Sequence, residues 1–376
     1  MNGLTFSRRA LLGSALAAPF IRNAAAQGND GEYVLGSVFP QSGPNAEYGA
    51  VFTAGVQLGI QHIQADGLLR KRIRYVSEDS QALPQQGVIA MTKLVNVDTA
   101  HWTFAAFTAV SKAIAPIGDR GKTVMINGGA VGPDLSGLSP YFWNVIPLAH
   151  LETRALLPHL VAQGKKRFAL VYVDDPLGDA ILKELTDQLP KAGAELVGSF
   201  SIPRDAQQFG PVAARVRQVR PDAVYIASFG AQQSQIIKGL RNNGVSQQLC
   251  SYSAMNLASV GSLPEAEGMT FTVQKVDYAG GDALTRRFAE DFRKAHNKEP
   301  TVYNANYYNG TRLFGLLAHE LEKTNTPVTG DSLRQTLHRV KKFPLVGGLG
   351  EFDANGNMMA AIEVVQWRNG ALVKLA

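Results

Sequence analysis

The sequence predicts an α/β protein of two lobes, each a mostly parallel sheet flanked by helices. Three observations lead there. Short apolar strand-like runs alternate with segments of helical apolar spacing, the pattern of βαβ units. The series restarts after Pro147. About 350 residues follow an N-terminal leader, too many for one simple core.

The elements run in order. Tyr33–Phe39 reads as a buried strand, and Gly49–Ala65 follows with apolar residues Phe52, Val56, Ile60 and Ile63 on one helical face. Ile73–Asp79 is a second strand. Gln85–Val97 is a second helix, through Val88, Met91, Leu94 and Val95. Trp102–Phe107 and Thr123–Asn127 are strands separated by a helix over Ser111–Arg120. Beyond Pro147 come helix Glu152–Gln163, strand Arg167–Val173, helix Gly178–Ala192 and strand Glu195–Phe200. Helix Phe209–Val219, strand Asp222–Ala227 and helix Gln232–Asn243 complete that series. Helices over Thr285–His296 and Tyr303–Lys323 precede short strands near Gly350–Asp353 and Ile362–Trp367. Asp353-Ala354-Asn355-Gly356 is a turn signal between those strands.

Residues 1–26 carry a different message. Ser7-Arg8-Arg9 leads into the short apolar run Ala10–Ile21, and Ala24-Ala25-Ala26 closes the segment. A charged start, an apolar stretch and small residues at the end form a bacterial export signal, cleaved near Ala26. The paired arginines favour the twin-arginine route over the ordinary secretory one. The mature chain then works in the periplasm, without a ready supply of ATP or NADH. No later segment is long and apolar enough to cross a membrane.

The formal charge is +6. Arg8, Arg9 and Arg22 sit in the leader, which holds no acid, so the mature chain carries about +3. That balance, without basic runs interleaved with aromatics, gives no reason to expect nucleic acid. Cys250 is the single cysteine. An intramolecular disulfide and a Cys-based zinc site are excluded, and a small buried hydrophobe is expected there. There is no Walker loop, Rossmann glycine fingerprint, His-Glu-x-x-His or Gly-x-Ser-x-Gly. His159 and His319 fall within helical patterns and read as surface or packing residues. Asp174-Asp175 reads first as a helix cap and second as a cation site. No cofactor, metal or catalytic group is expected.

Several segments resemble the solute-binding proteins of branched-chain amino acid (Leu/Ile/Val) ABC transporters and the wider type I periplasmic-binding family. Gly36-Ser37-Val38-Phe39-Pro40-Gln41-Ser42-Gly43-Pro44 with Glu47-Tyr48-Gly49 is similar to that family's first strand and binding loop. Glu78-Asp79-Ser80 with Pro84, Phe107–Ser111, Asn127–Leu135 and Asp175-Pro176-Leu177-Gly178 resemble later turns, in the family's order. The resemblance implies the two-lobed type I periplasmic-binding fold, with three hinge crossovers near Pro147, Lys275–Tyr278 and Phe343–Val346. The first lobe is then 27–147 plus 278–343, and the second 148–277 plus 344–376. It implies a small-molecule ligand held between closing lobes, a membrane permease as partner, and a monomer. A sensor of the same fold is an alternative, and a hydrolase a remoter one.

The cleft is expected at the carboxyl ends of the strands. Thr108 stands between a strand and a helix. Its hydroxyl and the neighbouring backbone N–H groups, Ala109's included, would suit a carboxylate, or Thr108 would simply cap the helix. Gly129 and Val131 match positions that present a carbonyl and a hydroxyl in amino-acid binders, but valine has no hydroxyl. Ser253 falls where those binders place a glutamate for the ligand ammonium, and no acid lies between Cys250 and Leu263. A buried ammonium needs an acceptor. Glu47 is the alternative source of charge. Phe39, Tyr48 and Phe107 from the first lobe, with Leu177 and Phe229 from the second, supply an apolar and aromatic wall, Phe39 and Phe107 doubling as core candidates. Arg154 reads as a solvated helix residue. The expected ligand is a hydrophobic or aromatic carboxylate, with branched-chain or other amino acids as the alternative.

Overall fold

The computed structural model describes residues 31–375, so the leader and its cleavage point lie outside the described residues. The first series is β1 (Glu32–Phe39), α1 (Ala46–Ala65), β2 (Arg72–Asp79), α2 (Pro84–Asn96), β3 (Trp102–Ala105), α3 (Thr108–Gly121), β4 (Val124–Asn127) and β5 (Phe142–Asn144). These strands form one parallel sheet ordered β2-β1-β3-β4-β5. From Val34 to Phe39, β1 is buried throughout, because helices cover both faces of a parallel sheet.

The second series is α4 (Ala149–Ala162), β6 (Arg167–Val173), α5 (Pro176–Gln188), β7 (Glu195–Ile202), α6 (Gly210–Gln218), β8 (Ala223–Ala227), α7 (Gly230–Asn242), β9 (Gln248–Ser251), α8 (Ala258–Gly261) and β10 (Thr270–Gln274). The chain then returns to the first lobe with α9 (Ala283–His296), α10 (Val302–Lys323) and α11 (Gly330–Val340), followed by β11 (Lys342–Leu345), β12 (Gly348–Phe352) and β13 (Met358–Met359). It ends with β14 (Ile362–Arg368) and β15 (Ala371–Lys374), which complete a sheet ordered β15-β14-β10-β9-β8-β6-β7. In that sheet β14 and β15 are antiparallel additions to a parallel core.

Helices α3 and α4 start about a turn earlier than the sequence pattern implies, at Thr108 and Ala149. The amphipathic signal weakens in a first turn that faces the other lobe. Strands β5, β9 and β10 are short and escape the sequence reading, as does helix α11 although Leu333 and Leu337 share its buried face. α11 is also announced by a capping box, Thr329 with Ser332.

The third crossover falls at Ala360–Ala361, not at Phe343–Val346, so 344–359 does not join the second lobe. Gly347 and Gly348 have φ of 94° and 114°. They fold β11 back onto β12 as a hairpin, so the chain doubles back where a crossover was expected. The hairpin is tied to the first lobe. Asn309 of α10 exchanges hydrogen bonds with Val346 (2.9 and 2.7 Å), and Asn357 bridges to Asn144 of β5. The Asp353–Gly356 turn joins β12 to β13, with the Gly356 N–H donating to the Asp353 carbonyl at 3.1 Å. The second and third crossovers run side by side, where the Lys275 N–H donates to the Ala361 carbonyl at 2.8 Å.

Candidate ligand cleft between the lobes

The carboxyl ends of the parallel strands in each lobe face one another, and a small cavity lies between them. Larger grooves are more open to solvent, one of them between the lobes beside Pro133 and Pro176. The first lobe contributes Tyr48 of α1, Phe107 and Thr108 at the start of α3, the Gly129-Ala130-Val131 turn after β4, and Tyr303 of α10. The second contributes Leu177, Phe229, Tyr252 and Ala254. No side chain lining the cavity carries a charge.

The two lobes touch across it. The Tyr48 hydroxyl donates to the Ala254 carbonyl at 3.2 Å, and the Phe107 and Phe229 rings meet edge to face at 5.2 Å. Gly230 has φ 64°, and a Cβ there would lie 1.9 Å from the Asn45 side chain of the opposite lobe. A glycine is therefore required where the backbones close on each other.

Three helices start beside the cavity, and their first N–H groups are treated differently. At α5, Asp175 Oδ1 accepts from the N–H groups of Leu177 and Gly178 at 2.9 and 3.0 Å, while Oδ2 meets Arg204 at 3.0 Å. Asp174-Asp175 is thus a cap, as its position implied. At α7, the position before the helix is Phe229, which has no capping atom, and the Gly230 backbone lies near the Tyr48 hydroxyl. At α3, the position before the helix is Phe107, which has no capping atom. Among the described residues, the N–H groups of Thr108, Ala109 and Val110 meet no acceptor, and Ser111 is the first to find one, the Phe107 carbonyl at 2.8 Å. Phe107 also has φ 63°, an uncommon conformation for an aromatic residue and a form of strain that concentrates at functional sites. Thr108 Oγ1 accepts from the Gly132 N–H at 3.2 Å, pinning the turn after β4 against this helix end. The result is an open helix N-terminus, with its partial positive charge, inside an aromatic cavity.

The sequence-predicted residues divide. Tyr48, Phe107, Thr108, Gly129, Val131, Leu177 and Phe229 all line the cavity. Ala109 is not among the lining residues. Phe39 does not line the cavity; it is fully buried between Phe52 and Tyr307, with ring centroids at 5.3 and 4.8 Å. A strand-end aromatic in a buried strand is core here because α10 covers it. Ser253 also turns away from the cavity, toward Glu152. Glu47 is exposed on α1 and does not line the cavity, although its charge is felt at the Tyr48 hydroxyl. Arg154 is exposed and pairs with Glu184 at 3.3 Å. Cys250 is a buried small residue of β9, its thiol pushed up by burial.

Tyr303, Tyr252, Ala130 and Ala254 were not anticipated. Tyr303 is delivered by the capping box that starts α10: Asn304 Oδ1 accepts from the Thr301 N–H at 2.8 Å, while Thr301 Oγ1 accepts from the Asn304 N–H. That Thr-x-x-Asn pattern was the available signal. Burial pushes the hydroxyls of Tyr48, Tyr252 and Tyr303 up, so all three stay neutral hydrogen-bonding groups.

The sequence also missed Glu152, in the first turn of α4. Its carboxylate is fully buried and accepts three hydrogen bonds: from the Ser253 N–H at 2.7 Å, the Ser253 hydroxyl at 2.8 Å and the Thr272 hydroxyl at 2.9 Å. Burial pushes it up to about 7, against the pull of those donors.

Two α/β lobes with facing strand ends and a walled cavity between them define a class of protein that grips a small molecule by closing. Comparison with known proteins gives the family. A model of periplasmic binding proteins matches residues 13–371, and the chain belongs to that family, in the type I branch of the branched-chain amino acid binders. It is 24% identical to a Leu/Ile/Val-binding protein of Citrobacter freundii over 62% of this chain; the match spans 65%, just under two thirds, of that protein. Its fold is that of a leucine-binding protein from Thermotoga maritima (TM-score 0.82, 16% identity, 92% and 98% of the two chains). It is equally that of a solute-binding protein from R. palustris in complex with benzoate (TM-score 0.81, 19% identity, 92% and 96%). The family and fold are those of substrate-binding proteins.

Proposed function

We propose that the protein is the periplasmic receptor of an ABC uptake transporter and holds a small hydrophobic or aromatic carboxylate between its closing lobes. The observation that carries this reading is the uncapped N-terminus of α3 in a cavity whose walls are otherwise aromatic, apolar or neutral. A ligand carboxylate would accept from the N–H groups of Thr108–Val110, becoming the cap that Phe107 cannot be. Phe107, Phe229, Tyr48 and Tyr303 would enclose its apolar body. Because both lobes touch the ligand, binding favours the closed state, the signal a membrane permease reads. The likeness of fold to a benzoate-binding protein supports this ligand class, and the likeness to a leucine-binding protein supports the alternative. Glu152, close behind the second lobe's wall, is the feature that favours an amino acid.

In this reading the chain is exported by its leader, acts as a monomer and releases its ligand chemically unchanged. Thermal unfolding of the protein from Gln27 onward, against aromatic acids, 2-oxo acids and aliphatic amino acids, tests it. Ligand at about 100 times its Kd stabilises by roughly 2.7 kcal/mol, a shift of a few degrees. A shift with acids that lack an amino group supports the proposal; a shift with leucine or valine alone overturns the ligand class. Changing Arg8 and Arg9 to lysine should leave the protein in the cytoplasm, and normal export of that variant would point to the ordinary secretory route.

A further inference from the structure

We propose that Glu152 sets the ligand charge that the closed cleft accepts, acting from behind the second lobe's wall through Ser253. The proposal rests on the reading of this cleft as a ligand site and deepens it.

Glu152 sits at a junction. It belongs to the first turn of α4, just beyond the first crossover, and its carboxylate bonds Thr272 of β10, two residues before that strand ends at the second crossover. Its other partner, Ser253, stands between Tyr252 and Ala254, both of which line the cavity. The same short segment receives the first lobe when the cleft shuts, through the bond from Tyr48 to the Ala254 carbonyl. Tyr303 of the first lobe also comes close enough that Glu152 and Ser253 both act on its hydroxyl. The carboxylate is therefore one residue away from the ligand space and in contact with the segment on which closure lands.

Nothing nearby neutralises it. The groups that face it are hydroxyls: Ser253 and Thr272 as donors, Tyr225 from β8 and Tyr303 from α10 as neighbours. No lysine, arginine or histidine is among the groups acting on it. On its own helix, Arg154 faces outward to Glu184. The hydroxyls of Thr153 and Tyr225 are also buried nearby and adjoin one another. A buried, unpaired carboxylate with three donors stands between its two charge states, and near neutral pH both are within reach.

Linkage follows. A negative ligand brought into this cavity disfavours the ionised form of Glu152, so its binding takes up part of a proton and weakens as pH rises through 7. A ligand presenting an ammonium does the reverse: it favours ionised Glu152 and binds more tightly as pH rises.

The experiment is calorimetric titration with benzoate and with L-leucine between pH 6 and pH 8.5, in buffers of different ionisation enthalpy. The wild type, Glu152→Gln and Thr272→Val are compared. Expected for the wild type is a Kd for benzoate that rises by about three- to tenfold across the range, with fractional proton uptake near pH 7. Glu152→Gln should flatten the profile. Thr272→Val keeps the carboxylate but removes a donor to its charged form, and should move the midpoint upward; a packing role alone would not do that. Benzoate binding with no pH dependence and no proton uptake overturns the proposal and leaves the ligand class standing. Leucine binding that tightens with pH, and is flat in Glu152→Gln, overturns the ligand class and supports the role of Glu152. Leucine binding without pH dependence overturns both.

Discussion

At the mouth of the cleft the first lobe presents the start of α3 and the second presents the start of α5. Both helices follow a parallel strand, and both lie against the same cavity. The second lobe closes its own helix end: Asp175 accepts from Leu177 and Gly178 and pairs with Arg204. The first lobe leaves its helix end open behind Phe107. Behind the walls the contrast is sharper. The first lobe has free backbone donors at α3; the second has the start of α7, likewise without a side-chain cap, and behind its wall the buried carboxylate of Glu152. In the proposed reading the α3 end attracts an anion and the Glu152 side disfavours it, which would orient a carboxylate ligand with its charged end toward Thr108 and its uncharged end toward Ala254.

The largest effect should come from erasing that difference. Phe107→Asp gives α3 the cap that α5 already has. A carboxylate in the ligand's place should weaken aromatic-acid binding by about 3–5 kcal/mol, measured by titration. Because the Phe107 ring packs on Tyr48, Phe52 and Phe229, the melting temperature should fall as well, a cap of about 1 kcal/mol offsetting only part of that loss.

Next is the pH dependence of the second wall. Glu152 has its folded-state value raised to about 7 from 4.5. For a carboxyl raised on folding, the protonated form is the better tolerated one in the native state. Its contribution is intact below about 4.5, declines as pH rises to about 7 and is level above that. The decline is on the order of 3 kcal/mol. Denaturant unfolding should show this slope in the wild type and lose it in Glu152→Gln. An unchanged slope would place the titration elsewhere.

Removing the second lobe's cap with Asp175→Ala should cost about 1–2 kcal/mol of stability, because two N–H groups lose their acceptor. Ligand preference should be unchanged, since α5 does not hold the carboxylate. Smallest is Tyr48→Phe, which deletes the bond to the Ala254 carbonyl across the cleft. About 1 kcal/mol should be lost, a few-fold in Kd, appearing as faster ligand release in stopped-flow traces.

The strand–helix alternation made the sheets and the cleft position legible in the sequence, because apolar runs of four to eight residues mark buried parallel strands. Thr108, Leu177 and Phe229 were legible for the same reason: each stands where a strand gives way to a helix. Tyr303 and Glu152 were not, since each reaches the cleft from the first turn of a helix, and only the lobe crossovers bring those turns there. Ser253 was found, but its hydroxyl direction depends on Glu152, far away in sequence. Phe39 shows the opposite problem: a residue at a strand's carboxyl end reads alike whether a ligand or α10 covers it. The misplaced third crossover had a signal of its own, the Gly347-Gly348 pair of a hairpin turn.

The open end of α3 is the centre of this account, and one titration isolates it: benzoate against benzamide, which keeps the ring and removes the charge. Benzoate should bind at least about 100-fold more tightly, as charge-assisted bonds to two or three backbone donors require, and Phe107→Asp should abolish the preference. Equal binding of the two, or a preference for benzamide, would contradict it.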